Sequence, residues 1–109
     1  MTESRGLNEE CPEAPAPRPG AIVRVMHIGN QKGLHARASA KFVQTVEKFE
    51  ADVRVTRCGE TVGGTSILGL MMLAAAPGTD ITVEACGNEA AQVIAALEAL
   101  LVRRFDEDE

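Results

Sequence analysis

Between Ala21 and Phe105 the apolar residues switch between a period of two and a period of three to four, and the breaks between these stretches carry glycine, proline or serine. A chain patterned this way must alternate short strands with short helices, which restricts it to a mixed fold. The run AIVRVMHI, residues 21–28, is β-branched and apolar and predicts a first strand, ended by the break from Gly29 to Gly33. Beyond His35, residues Ala40, Phe42, Val43, Val46 and Phe49 recur at three- and four-residue steps and predict a helix of about three turns. His35 thus falls at or beside the start of that helix. Val53 and Val55 alternate with Asp52, Arg54 and Thr56, and Cys58-Gly59 supplies a tight turn into Glu60-Thr61-Val62, which predicts a hairpin.

Gly63 and Gly64 then lead to Thr65 and Ser66, where Ser66 is the expected N-cap of a short apolar helix in ILGLMMLAAA, stopped by Pro77-Gly78. Ile81, Val83 and Ala85 alternate with Thr82 and Glu84 to give a fourth strand. Asn88 is the expected cap of a long helix carrying Val93, Ile94, Leu97, Leu100 and Leu101. The order β-α-β-β-α-β-α predicts an α+β open-faced β-sandwich, a four-stranded antiparallel sheet with three helices on one face.

Composition narrows the functions open to such a domain. With 109 residues there is room for one core but little for a buried substrate cavity, and with no Trp, no Tyr and three Phe that core is aliphatic. The net charge of -5 divides unevenly: residues 1–20 carry -2, residues 21–105 carry +1, and residues 106–109 carry -4. A near-neutral domain poor in aromatic residues excludes a basic, base-stacking nucleic-acid interface, and no run is long and apolar enough to insert in a membrane.

Residues 1–20 hold four of the five prolines among acidic residues and read as a disordered leader. The domain is expected over 21–105, and 106–109 as a solvated acidic tail. The odd count of Cys11, Cys58 and Cys86, without CxxC spacing, argues against a disulfide framework and against a zinc site. His27 lacks companions at metal spacing and reads as a strand-surface residue. No metal or other cofactor is expected, and a reducing cytoplasm is the expected setting.

The chemistry-bearing stretch is Gly33-Leu34-His35-Ala36-Arg37-Ala38-Ser39. An imidazole at a helix start can offer one ring nitrogen as a nucleophile toward phosphorus, and the orphan N–H groups and macrodipole of that helix favour the anionic product. Arg37 adds planar donors suited to phosphate oxygens. The same spacing is also met by a surface histidine that merely caps a helix.

Residues 33–43, GLHARASAKFV, closely resemble the GLHxRPAxxFV active-site motif of the HPr phosphocarriers, and residues 65–73, TSILGLMML, resemble that family's second motif. The two stand at the family's separation, and the similarity covers roughly 21–105. The resemblance implies a phosphoryl-group carrier rather than an enzyme with its own substrate. It makes His35 the position phosphorylated by enzyme I, with phosphoenolpyruvate as the ultimate donor, Arg37 the supporting arginine and Ser66 the match to the serine modified by HPr kinase/phosphorylase in some bacteria. It further implies a monomer passing phosphate to an EIIA-type acceptor of a phosphotransferase system, in sugar uptake or in a nitrogen-related branch.

Ala36, Ala40, Ile67, Leu68, Met71 and Met72 form the expected apolar docking patch, because a helix as short as the second cannot turn every apolar side chain inward. Three positions depart from the family pattern: Ala38 replaces the usual proline, Lys32 stands where asparagine is frequent, and Thr65 where a basic residue is frequent. The alternative function is an HPr-like regulatory binding module that works without phosphate relay. The presence of both His35 and Arg37 counts against it.

Overall fold

The computed structural model describes residues 15–73 and 76–107. The expectations for residues 1–14, Ala74, Ala75, Asp108 and Glu109 lie outside the described residues. The elements are β1 (Ile22–His27), α1 (Ala36–Val46), β2 (Asp52–Arg57), β3 (Glu60–Gly63), α2 (Ile67–Met72), β4 (Asp80–Cys86) and α3 (Ala90–Val102), followed by a single turn over Arg104–Asp106. The strands form one antiparallel sheet in the order β1-β4-β2-β3.

Alternation along the strands decides which side of the sheet is covered. Met26, Val53, Val55, Ile81, Val83 and Ala85 are buried under the helices. Val25, His27, Asp52 and Arg54, which alternate with them, are exposed on the other face. Helix α1 contributes Phe42, Val43 and Val46 to this core, α3 contributes Val93, Ile94, Leu97 and Leu100, and α2 contributes Leu70. The fold is therefore the expected open-faced sandwich. Its hairpin turns on Cys58 and Gly59, at φ +49° and +81°, the backbone that a two-residue connection between twisted strands requires.

Two local expectations are corrected. The N-cap of α3 is Glu89, not Asn88, and no side chain caps that helix. Glu89 instead pairs with the loop ahead of β2: its carboxylate accepts from the Glu50 N–H at 2.7 Å, and its own N–H donates to the Glu50 carbonyl at 2.9 Å. This non-local pairing places the helix start one residue later than the local capping preference. Helix α2 closes at Leu73, short of the whole apolar run, and the Arg57 guanidinium donates to the Leu73 carbonyl at 3.2 Å. Cys86 is a free, half-buried thiol.

The described part of the leader is also tied down. Arg18 forms ion pairs with Glu84 on β4 and Asp52 on β2, and its backbone N–H donates to the Glu84 carboxylate at 3.3 Å. Pro15, Ala16 and Pro17 line a hollow on the open sheet face together with Thr56, Thr82 and Glu84. The ordered domain thus reaches back at least to Arg18, because one guanidinium satisfies carboxylates on two neighbouring strands.

The hydrogen bond from Arg18, opposed by partial burial, holds the Glu84 carboxyl below its ordinary value. A carboxyl whose value is lowered by folding stabilises the protein above its unfolded value and loses that contribution as pH falls through the folded one. Arg18→Ala should therefore cost about 1 kcal/mol at pH 7. Urea denaturation of both proteins from pH 7 to pH 3 should show the difference shrinking once the pH drops below the ordinary carboxylate range. A constant difference would assign the loss to packing of the Arg18 stem.

Candidate phosphoryl-accepting site

The site is built on the turn that ends β1 and starts α1. Gly33, at φ +66°, reverses the chain and lets the His35 N–H donate to the Gly33 carbonyl at 2.9 Å. His35 is then the N-cap of α1 in extended conformation, at φ -80° and ψ -174°. Its carbonyl accepts the first helical hydrogen bond, from the Ser39 N–H at 2.9 Å. The N–H groups of Ala36, Arg37 and Ala38 are left without a helical partner, as at any helix start. The imidazole supplies one: its Nδ1 accepts from the Arg37 N–H at 3.2 Å.

That contact fixes the state of the ring. A backbone N–H can only donate, so Nδ1 presents its lone pair and the proton resides on Nε2. On that side the ring meets the carboxylate of Glu107, near the other end of the chain. Its second oxygen accepts from Asn30 Nδ2 at 3.1 Å. Burial pushes the Glu107 carboxyl up, but the hydrogen bonds from His35 and Asn30, with the positive charge of Lys32, hold it below its ordinary value. Glu107 is therefore an anion at neutral pH.

Two contacts deliver it. Phe105 is fully buried, and Lys41 Nζ donates to the Phe105 carbonyl at 2.6 Å. Around the ring lies a cleft of about 470 Å³ where Lys32, Arg37 and Lys41 face Asp106 and Glu107. Cations on the rim of an open cleft favour an incoming anionic group.

The other expected residues are placed as follows. Arg37 is exposed on the first turn of α1 and lines the cleft. Ser66 caps α2, its Oγ accepting from the Gly69 N–H at 2.9 Å. Gly69 permits this, since a Cβ there would lie 2.8 Å from that oxygen. Ile67, Leu68, Met71 and Met72 are all exposed, Leu68 and Met72 by 67% and 69%, while Ala36 is exposed and Ala40 half-buried on the adjoining α1. His27 pairs with Asp80 at 3.0 Å on the surface. Among the described residues no group of three or more His, Cys, Asp or Glu could hold a metal ion.

Glu107 and Asn30 were not singled out by the sequence. Glu107 lies in a run of acids that reads as a solvated tail, and for this residue the reading is corrected. The available signal was Phe105, an isolated aromatic just after α3 that must bury somewhere and so draws the following residues inward.

Comparison with known proteins agrees with this geometry. The family model described as "PTS HPr component phosphorylation site" matches residues 22–103. The chain is 49% identical over 84 residues to the phosphocarrier protein HPr of Neisseria meningitidis serogroup A, covering 77% of this chain and 94% of that one. It is 45% identical over 82 residues to the HPr of Cupriavidus necator, covering 75% and 92%. Among solved structures, an HPr of Thermoanaerobacter tengcongensis superposes with a TM-score of 0.77 at 34% identity, over 81% of this chain and 99% of that one. Crh of Bacillus subtilis, whose structure is described as a swapped dimer, gives 0.62 at 36% identity over 68% and 85%. With its sequence motifs, its fold and these likenesses in agreement, the chain belongs to the HPr family of phosphocarriers of the phosphotransferase system.

Proposed function

We propose that this phosphocarrier accepts a phosphoryl group on Nδ1 of His35 from enzyme I and passes it to an EIIA-type protein, acting as a cytoplasmic monomer. The observation that carries the reading is the orientation of the His35 ring, with its lone pair toward the start of α1 and its proton toward Glu107.

The step follows from that orientation. The Nδ1 lone pair forms the bond to phosphorus while the bond from phosphorus to the donor atom breaks, and that electron pair leaves with the donor. No proton has to be removed from the nucleophile. The Arg37 N–H that Nδ1 had accepted is then free to bind a phosphoryl oxygen, with the neighbouring first-turn N–H groups and the helix dipole. The ring has meanwhile become an imidazolium, and the Glu107 carboxylate faces its remaining proton, the arrangement by which a carboxylate supports a histidine that gains charge during reaction. Transfer onward is the reverse: the nucleophile of the acceptor attacks phosphorus and the N–P electron pair returns to Nδ1.

Incubation with enzyme I and labelled phosphoenolpyruvate tests this. Label that is lost in acid and kept in base identifies phosphohistidine. Absence of label, or label stable in acid, would overturn the reading. Arg37→Ala should still accept label but on the order of tenfold more slowly, because one cation that stabilises the equatorial oxygens is removed. Equal rates of transfer to and from the carrier would make Arg37 a solvated residue.

We also propose Ser66 as a regulatory position for HPr kinase/phosphorylase, and the apolar faces of α1 and α2 as the docking surface. A phosphate on the Ser66 hydroxyl brings about -1.5 to -2 of charge to a position that already caps a helix, so α2 should remain folded. Ile67, Leu68 and Met71 adjoin it, and an anion at the edge of an apolar contact must be desolvated when a partner docks. Ser66→Asp should weaken binding of enzyme I about tenfold while the thermal midpoint stays within a few degrees. Unchanged affinity in both this variant and protein phosphorylated at Ser66 would leave that residue as a cap only.

A further inference from the structure

The geometry points to Asn30 as a positioning residue for phosphoryl transfer, whose buried amide holds the Glu107 carboxylate on the ring of His35. This rests on the reading of His35 as the phosphoryl acceptor.

Asn30 sits in the loop between β1 and α1 and is fully buried. Its Nδ2 donates twice, to the Gly33 carbonyl at 2.9 Å and to one oxygen of Glu107 at 3.1 Å. Both partners are one step from the histidine. The Gly33 carbonyl also accepts from the His35 N–H, and the other oxygen of Glu107 is on His35 Nε2. One amide therefore reaches His35 by two routes, through its backbone and through its ring.

The other half of that amide is unpaired: Oδ1 is buried and has no hydrogen-bond partner among the described residues. A buried acceptor left without a donor is costly, and holding the turn alone needs only one N–H. What the amide supplies beyond the turn is a second, divergent donor aimed at a carboxylate. A glutamate gripped only by the ring is free to rotate about its terminal torsion or to turn out to water. With Asn30 on one oxygen, the other is held toward Nε2.

The consequence for the reaction is specific. As Nδ1 bonds to phosphorus the ring gains a positive charge, and the anion fixed behind it strengthens its hold in the transition state and in the product. Asn30 touches neither the phosphoryl group nor the ring, so its effect must pass through Glu107 and the Gly33 turn.

The experiment uses the full chain and phosphoramidate, a small phosphoryl donor that needs no docking surface. Asn30→Ala, Glu107→Gln and the double variant are compared for rate of His35 phosphorylation and for the ¹⁵N signals of the His35 ring. Each single variant should react about tenfold more slowly, the effect of one lost charge-assisted contact. The double variant should be slower than Asn30→Ala by far less than tenfold, because removing Asn30 already breaks the link through Glu107. The ring signals should change alike in all three.

Asn30→Asp keeps the volume but cannot donate and repels Glu107, so it provides the test if the alanine variant fails to fold, and should be the slowest. Rates and ring signals equal to wild type in Asn30→Asp or Asn30→Ala would overturn the proposal. So would the Asn30 change slowing a Glu107→Gln protein as much as it slows wild type, which would make Asn30 a residue of the turn alone. A wild-type chain that takes no label on His35 would overturn the carrier reading itself, while the ring signals would still report whether Asn30 orients Glu107.

Discussion

His35→Ala should abolish phosphoryl acceptance, a loss of at least a thousandfold, while leaving the domain folded. The large effect follows from chemistry, since the substitution removes the nucleophile, and no other histidine lies in the cleft. The small effect on stability follows from position. The imidazole is 28% exposed and makes one cap hydrogen bond whose loss costs about 1 kcal/mol. Releasing Glu107 from its partner adds a little more, because this half-buried carboxylate keeps Asn30 and can turn to water. Circular dichroism and a thermal midpoint within a few degrees of wild type would confirm the fold, and mass spectrometry after incubation with enzyme I and phosphoenolpyruvate would confirm the loss. Label persisting in the variant would move the acceptor to His27, which pairs with Asp80 on the surface and does not line the cleft.

What the sequence made legible here is what short-range physics decides. Phe42, Val43 and Val46 had to share a helix face, Val53 and Val55 a strand face, and His35 and Ser66 stood before helices where side-chain caps belong. Those two residues form side-chain caps because their partners lie within a few positions: Arg37 for His35, Gly69 for Ser66. The missed features all join residues far apart in sequence. Glu107 meets His35 across 72 positions and Arg18 meets Glu84 across 66. Nothing near either residue announces its partner, and a Pro-rich acidic leader or a run of acids has the composition of solvated chain. Asn88 failed differently, since its local preference as a cap was genuine and lost to the pairing of Glu89 with Glu50. Tertiary contact overrides propensity most readily at the ends of elements.

Phe105→Ala should be the most destabilising of these changes and should also disconnect the site from its carboxylate. The residue is fully buried, and truncating a buried phenylalanine to alanine costs about 3–5 kcal/mol through lost burial and the cavity left behind. Part of that cost is returned. Arg104, Phe105 and Asp106 all hold positive φ, between +56° and +58°, a backbone that side chains rarely adopt and that burial of the ring sustains. Freed from the core, the segment relaxes, so the net loss should be about 3 kcal/mol, or a fall in thermal midpoint on the order of 10–20 °C. Lys41 then loses the Phe105 carbonyl, and Glu107 is no longer carried to His35 Nε2. The surviving folded fraction should accept phosphate from phosphoramidate no faster than Glu107→Gln does, because both lack the anion behind the ring. Phe105→Leu separates the two effects, since it keeps most of the apolar volume and should restore both stability and rate. Urea denaturation and phosphorylation kinetics on the three proteins decide the matter: a Phe105→Ala protein that is destabilised yet reacts at the wild-type rate would show that the Phe105 anchor serves the core alone and that Glu107 reaches the histidine without it.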